Sequence, residues 1–255
     1  MDRFGTVGRP IICVPGLGDL RSSYRSLVPL LVGSGHTLYV MDLRGHGDSD
    51  VGFDSYSAAD IGEDILALIE QEDLHDVIVV GNSIGGGASC FAASSSDRIV
   101  GQVLLNPFVR DMPADRFLRP LSHLLFMRPW GVWVWGQYRS TLFKTAPADL
   151  EENHRAVLDN LRKKQRLEAA MQMIRASKAP VAERLGTLTI PSLVVMGAED
   201  PDYGDPVAEG ELLKRLLGGD VESVVLDGVG HYPQVENAEE TAAHIVSFVE
   251  RVHGA

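Results

Sequence analysis

Only two of the 255 residues are cysteine, Cys13 and Cys90. Neither has a partner at metal-ligand spacing, so a disulfide scaffold and a structural zinc site are both excluded, and each thiol reads as a small core residue. Basic charge is also scarce. Lysine and arginine number 23 against 35 aspartates and glutamates, for a net charge of −12, which argues against nucleic acid as a partner. No apolar run approaches the roughly 20 residues of a membrane span. No basic segment leads into an apolar one at the start of the chain, so no secretory signal is read and a reducing cytoplasm is the expected compartment. Internal repeats and low-complexity tracts are missing too. What remains is ordinary for a soluble globular protein, with 45% apolar and 23% charged residues. The length suits one α/β domain with an insertion, or two small domains, and is enough to bury a sizeable core without staples.

The most informative stretch is Val77-Ile78-Val79-Val80-Gly81-Asn82-Ser83-Ile84-Gly85-Gly86-Gly87. A β-branched run reads as a buried parallel strand, and the small residues after Gly85 read as a helix. The Gly-x-Ser-x-Gly between them makes a sharp turn. Such a turn exposes the Ser83 hydroxyl at the end of a sheet and at a helix N-terminus, where the Ile84 N–H can face a developing oxyanion. Two readings follow from the residues alone: a nucleophilic serine, or a glycine-rich turn of the kind found at dinucleotide sites.

Around this stretch strand and helix alternate. Strands are expected at 10–14, 38–41, 77–80, 103–105, 192–196 and 221–226, with helices between them. Among the helices, Ser57 and Asp60 form a capping box before Ile61, Ile65, Leu68 and Ile69, and Asp205-Pro206 offers an N-cap followed by a first-turn proline. Such alternation predicts a mostly parallel sheet covered on both faces. It breaks near Phe108 and resumes near Gly186; helical patterns occupy 151–162 and 166–177, and no strand is expected in between.

A serine hydroxyl needs a base to take its proton and a third group to orient that base. Two later strand ends supply candidates: Gly197-Ala198-Glu199-Asp200-Pro201-Asp202, and Asp227-Gly228-Val229-Gly230-His231-Tyr232-Pro233. In a parallel sheet both loops open on the same edge as Ser83. From the residues alone the acid stays open among Asp200, Asp202, Asp205 and Asp227.

Taken in order, Pro15-Gly16-Leu17-Gly18, Asp42-Leu43-Arg44-Gly45-His46-Gly47-Asp48-Ser49, Gly81-Asn82-Ser83-Ile84-Gly85-Gly86, Gly197-Ala198-Glu199-Asp200 and Gly230-His231 resemble the α/β-hydrolase superfamily, in particular serine hydrolases with a helical cap. The resemblance implies an α/β-hydrolase fold with about six strands, split into core residues 1–107, a helical cap at 108–186 and core residues 187–255. It implies Ser83 as nucleophile, Asp200 as acid, His231 as base, the backbone N–H groups of Leu17 and Ile84 as oxyanion hole, and no metal or cofactor. Asn106 stands at the alternative acid position of some relatives, and an amide there favours Asp200. Proline replaces the usual histidine before Gly16, and the usual opening hairpin is curtailed. The implied activity is esterase or lactonase action on small hydrophobic substrates. Asn82 and the segment after His231 also resemble hydrolases that cleave carbon–carbon bonds of ring-cleavage products. A cofactor-free oxygenase or perhydrolase, and a weakly catalytic ligand receptor, share the fold.

The 108–186 segment holds all three tryptophans, Trp130, Trp133 and Trp135, and between Phe108 and Lys144 it carries six Lys/Arg against Asp111 and Asp115. Its apolar residues predict a roof over Ser83, with Phe126, Trp130 and Trp133, and Tyr232 from the histidine loop, as candidate substrate contacts. Membrane contact is not expected, because Pro120 and Pro129 interrupt any amphipathic helix.

Overall fold

A computed structural model describes residues 1–113 and 115–254, apart from the side chains of Leu118 and His253. Its strands are β1 (Asp2–Phe4), β2 (Pro10–Val14), β3 (Thr37–Val40), β4 (Val77–Asn82), β5 (Ile99–Leu105), β6 (Ser192–Gly197) and β7 (Val221–Leu226). Its helices are α1 (Val28–Gly33), α2 (Ala58–Gln71), α3 (Ile84–Ala93), α4 (Asp115–Leu125), α5 (Gly131–Thr141), α6 (Leu150–Arg162), α7 (Lys164–Arg175), α8 (Ala179–Ala182), α9 (Pro206–Leu216), α10 (Pro233–Glu236) and α11 (Ala238–Gly254). The seven strands form one sheet in the order β1-β3-β2-β4-β5-β6-β7. The six expected strands are all parallel, and the seventh is the short β1, antiparallel to β3 at the edge.

The inner strands read as largely apolar runs because both faces are covered. Ile12, Val14, Val79, Leu104, Val194 and Met196 point into one layer with Ile61, Ile65 and Ile69 of α2 and Leu213 of α9. Their neighbours Ile11, Cys13, Ile78, Val80, Val103, Leu105, Leu193 and Val195 point into the other, with Leu31 of α1 and Ile245, Phe248 and Val249 of α11. Each such side chain fully removed from water contributes about 1.5–3 kcal/mol. The capping box at Ser57 is formed in both directions, and Asp205 caps α9 by accepting from the Ala208 N–H.

Strands β3 and β4 lie on opposite sides of β2, so the chain reverses direction across the sheet at β2 and β4. Crevices for ligands open beyond the carboxyl ends of strands at such a switch point. The loops at this one are Pro15–Asp19 and the turn at Ser83. Helices α4 to α8 lie between β5 and β6, with no strand among the described residues there. Helices α5, α6 and α7 share a small core of Trp135, Val157, Leu161 and Ala170, against which Leu17 and Leu20 of the first loop pack. Pro120 does not end α4. Its ring forfeits one intrahelical hydrogen bond, yet the helix runs on to Leu125 and leaves Phe117, Leu121 and Leu124, one face at i, i+4 and i+7, exposed. The prolines therefore do not preclude an amphipathic helix in this segment.

Candidate active site

Ser83 sits between β4 and α3 with φ 57° and ψ −120°. A non-glycine residue in such a conformation costs about 1–3 kcal/mol and persists only where its surroundings fix it. Here the Ser83 N–H donates to the Leu105 carbonyl at 2.9 Å, and the Ser83 carbonyl accepts from Gly86 at 3.0 Å and Phe108 at 2.9 Å. A Cβ on Gly85 would lie 2.4 Å from the Val14 carbonyl oxygen, so the first turn of α3 packs directly on the end of β2. Close packing of this kind is why glycine follows the serine.

The loops after β6 and β7 are sewn to this turn by two asparagines. Asn106 accepts from the Gly197 N–H at 2.9 Å and donates to the Gly230 carbonyl at 2.9 Å. Asn82 donates to the His231 carbonyl at 3.1 Å. Between these anchors, His231 Nδ1 lies 2.7 Å from Asp200 Oδ2, with both side chains buried. A proton on Nδ1 donated to the carboxylate leaves Nε2 to accept one. Burial pulls the His231 pKa down, but the charge and hydrogen bond of Asp200, then the charges of Asp202 and Asp19, raise it from 6.5 to about 9. Asp202 Oδ2 is 3.6 Å from the same Nδ1. Its carboxylate accepts the Tyr138 hydroxyl from α5 at 2.7 and 2.9 Å, and its own N–H donates to Asp200 Oδ1 at 3.0 Å. Burial raises the Asp202 pKa above the usual carboxylate value. Ligand atoms of Asp200, Asp202 and His231 lie within 4.8 Å of one another, a spacing that could hold an ion.

The loop after β2 approaches the serine from the other side. A Cβ on Gly16 would stand 3.2 Å from Ser83 Cβ and 3.1 Å from Asn82 Oδ1, so the loop backbone packs tightly against the Ser83 turn there. The Asp19 N–H closes the turn on the Gly16 carbonyl at 3.2 Å. His46 is fully buried; its Nδ1 donates to the Arg44 carbonyl at 3.1 Å and its Nε2 accepts the Gly18 N–H at 3.1 Å. Burial lowers the His46 pKa, which suits the neutral ring this pairing needs. The Asp19 carboxylate meets Arg139 of α5 at 3.0 Å, and both residues are 1% exposed.

Residues 11–244 match the profile of the alpha/beta hydrolase family. The chain belongs to this family. Among curated proteins, this hydrolase is 26% identical to haloalkane dehalogenase 1 of Mycobacterium tuberculosis, over 94% of this chain and 83% of that protein. It is 25% identical to the 2-hydroxy-6-oxononadienedioate/2-hydroxy-6-oxononatrienedioate hydrolase of Cupriavidus pinatubonensis, over 92% and 83%. Among solved structures, a thermophilic esterase from Thermogutta terrifontis superposes with a TM-score of 0.75 at 25% identity, covering 99% of this chain and 93% of that one.

Asp200 and His231 of the hydrolase are in contact, and Asn82 ties the His231 backbone to the turn that carries Ser83; the loop that carries Leu17 packs against the same turn. The aromatic candidates lie differently. Trp130 and Trp133 are 43% and 65% exposed, and Trp130 donates to the Leu124 carbonyl on the outer side. Phe126 packs edge-on against Trp135, ring centroids 5.9 Å apart. Tyr232 is buried and stacks on Phe143 at 4.5 Å. Arg44 is held by Asp64 through two bonds of 2.7 Å, and Asp42 pairs with Arg21, so both brace the loop after β3. Several site neighbours were not among the candidates: Phe108, whose ring is 5.6 Å from that of His231, and Asp19, His46, Trp135, Tyr138 and Arg139; Asp202, weighed as a rival acid, lies beside His231 as well. Trp135 and Arg139 stand four apart, so they share a helix face; that spacing was the one available signal.

Proposed function

We propose that the protein is a cofactor-independent serine hydrolase cleaving carboxylic esters or lactones that carry hydrophobic groups. Ser83 Oγ attacks the carbonyl carbon while His231 Nε2 takes its proton. Asp200 holds the imidazole and stabilises the imidazolium, and the N–H groups of Leu17 and Ile84 receive the oxyanion. His231 then protonates the leaving alkoxide, and water, activated by the same imidazole, releases the acyl group. The observation that carries this reading is the 2.7 Å His231–Asp200 contact at the edge where Ser83 is held in its sharp turn. Serine at that position also separates this chain from a dehalogenase reaction. Displacing halide with a serine oxygen would leave an ether, which water does not cleave under these conditions, whereas an ester intermediate turns over.

Residues 108–186 act as the cap in this reading, with Phe108, Phe126 and Trp135 as apolar surface near the reacting carbonyl. The Cupriavidus relative supports a second reading, hydrolysis of a carbon–carbon bond next to a ketone, by the same nucleophile and base. The experiment is Ser83→Ala with a fluorophosphonate probe and a panel of esters, lactones and a coloured vinylogous diketone. Wild type should be labelled at Ser83, and the folded alanine variant should lose about four orders of magnitude in turnover. Labelling elsewhere, or an active alanine variant, rejects the nucleophile. Bleaching of the diketone with no ester turnover selects the second reading.

A further inference from the structure

We infer that helix α5 is a positioning element of the reaction itself, because one of its faces and the residue just beyond it hold the three loops that, together with the Ser83 turn, carry the reacting groups. The inference rests on the serine-hydrolase reading and adds to it. The first hold is on the oxyanion loop. Trp135 lies so close to Gly18 that a Cβ there would be 2.3 Å from the indole ring. One turn on, Arg139 Nε donates to Asp19 Oδ1 at 3.0 Å and its Nη2 to Asn153 Oδ1 at 2.7 Å. Asn153 donates in turn to Ser22 Oγ at 3.0 Å, just past the same loop. Leu17 lies on the turn closed between Gly16 and Asp19, so where Arg139 puts Asp19 decides where the Leu17 N–H points.

The second hold is on the acid loop, where the Tyr138 hydroxyl donates to Asp202 and Asp202 donates from its backbone to Asp200. The third is on the histidine loop. The His231 N–H donates to the Leu142 carbonyl at 2.8 Å. Glu236 clamps the same junction, accepting from Lys144 at 2.7 Å, Thr145 at 2.8 Å, Gly230 at 3.1 Å and Tyr232 at 3.1 Å. As a source of stability a buried Arg–Asp pair is poor, since desolvation consumes most of its attraction. As a means of fixing a loop it is strong, because the planar fork has one geometry. A misplacement of about 1 Å in such groups costs on the order of a hundredfold in rate.

The test is a chain-length series of esters on wild type, Arg139→Lys and Tyr138→Phe, with melting curves and the rate of fluorophosphonate labelling at Ser83. Lysine keeps the charge and loses the fork. Arg139→Lys should lower kcat by about 10- to 100-fold for every chain length, with KM within about threefold and labelling slowed in parallel. Tyr138→Phe should lower kcat by a smaller factor and leave melting unchanged. Unchanged kcat with an altered KM or chain-length order in both variants would make α5 a specificity wall and overturn the inference. So would a kcat loss that only follows the unfolded fraction. Should Arg139→Lys not fold, Tyr138→Phe decides alone, since it removes one oxygen from a residue 36% exposed; an unchanged kcat there overturns the inference. A wild type that neither labels at Ser83 nor cleaves any ester fails the serine-hydrolase reading, which is a different result.

Discussion

Replacing Asp202 by asparagine should move the pH dependence of the reaction to lower pH while leaving the enzyme active. His231 is held at about 9, so in the proposed mechanism most of the free enzyme at neutral pH carries a protonated, inactive base. Asp202 Oδ2 lies 3.6 Å from Nδ1. A unit charge at that distance is worth about 1 kcal/mol in a water-like medium and about 4–5 kcal/mol at an effective dielectric of about 20. The Tyr138 hydroxyl takes up part of that charge, so the lower end applies, and the limb should fall by about one pH unit. Asparagine is close in size and still accepts from Tyr138, which keeps the loop in place. The sign at each pH follows from the proton count. Removing a negative neighbour makes the neutral imidazole more abundant below its pKa but also a weaker base. With the imidazolium roughly half developed in the transition state, kcat/KM should rise about threefold near pH 7 and fall about threefold on the alkaline plateau. The assay is a pH-stat profile of kcat/KM for one ester between about pH 6 and about pH 10, wild type against Asp202→Asn. An unmoved or raised midpoint refutes the electrostatic argument. A loss of three or more orders of magnitude at every pH would make Asp202, rather than Asp200, the acid that orients His231.

Asp200→Asn should stay folded and lose several orders of magnitude in kcat, because the amide stabilises the wrong tautomer of His231; a pH profile and melting curve separate this from unfolding. Each methylene of an acyl chain buried against apolar residues is worth about 0.8 kcal/mol, so medium-length esters should exceed acetates in kcat/KM by one to two decades, and Phe126→Ala should flatten that slope. Trp133→Ala, on the outer surface, should leave the slope unchanged; if it flattens instead, the indole reaches the substrate. Dialysis against EDTA should leave kcat unchanged, and activity lost there and restored by zinc would assign the Asp200–Asp202–His231 cluster to a metal.

The parts legible in the sequence are those whose physics is local. The turn at Ser83 announces itself because a β-branched strand, a strained residue and glycines too crowded for a Cβ are consecutive. Strands β2, β3, β4 and β6 were readable because burial on both faces leaves largely unbroken apolar runs. Helix α5 was not readable, because its apolar residues follow no stripe: Trp135 is buried while Trp133, two residues away, is 65% exposed. What fixes α5 is a contact between Arg139 and Asp19, 120 residues apart in sequence. Nothing in a local pattern signals it. Asp202 was read as the weaker rival of Asp200. The backbone bond from its N–H to Asp200 folds the loop so that both carboxylates face one imidazole, and a list of neighbours in sequence cannot show that turn. Strand β1 is three residues with mostly exposed side chains, held by pairing with β3 and by the Asp2–Arg21 ion pair, and so carries no hydrophobic signal.

The charges around His231 explain why tyrosine and arginine suit their places on α5. Three carboxylates, Asp200, Asp202 and Asp19, push the imidazole toward its protonated form. A general base needs one of them, to orient it; the other two only hold its proton more tightly. Each surplus carboxylate is met by a side chain from α5, Asp202 by the Tyr138 hydroxyl and Asp19 by the Arg139 guanidinium. A phenol can donate to a carboxylate without adding charge next to the base, which suits Asp202 at 3.6 Å from the ring. The Arg139 guanidinium instead pairs its full positive charge with Asp19 and gives the oxyanion loop its anchor. The helix that places the loops is thus also the one that keeps the base able to release its proton, and it accomplishes both with the same two side chains.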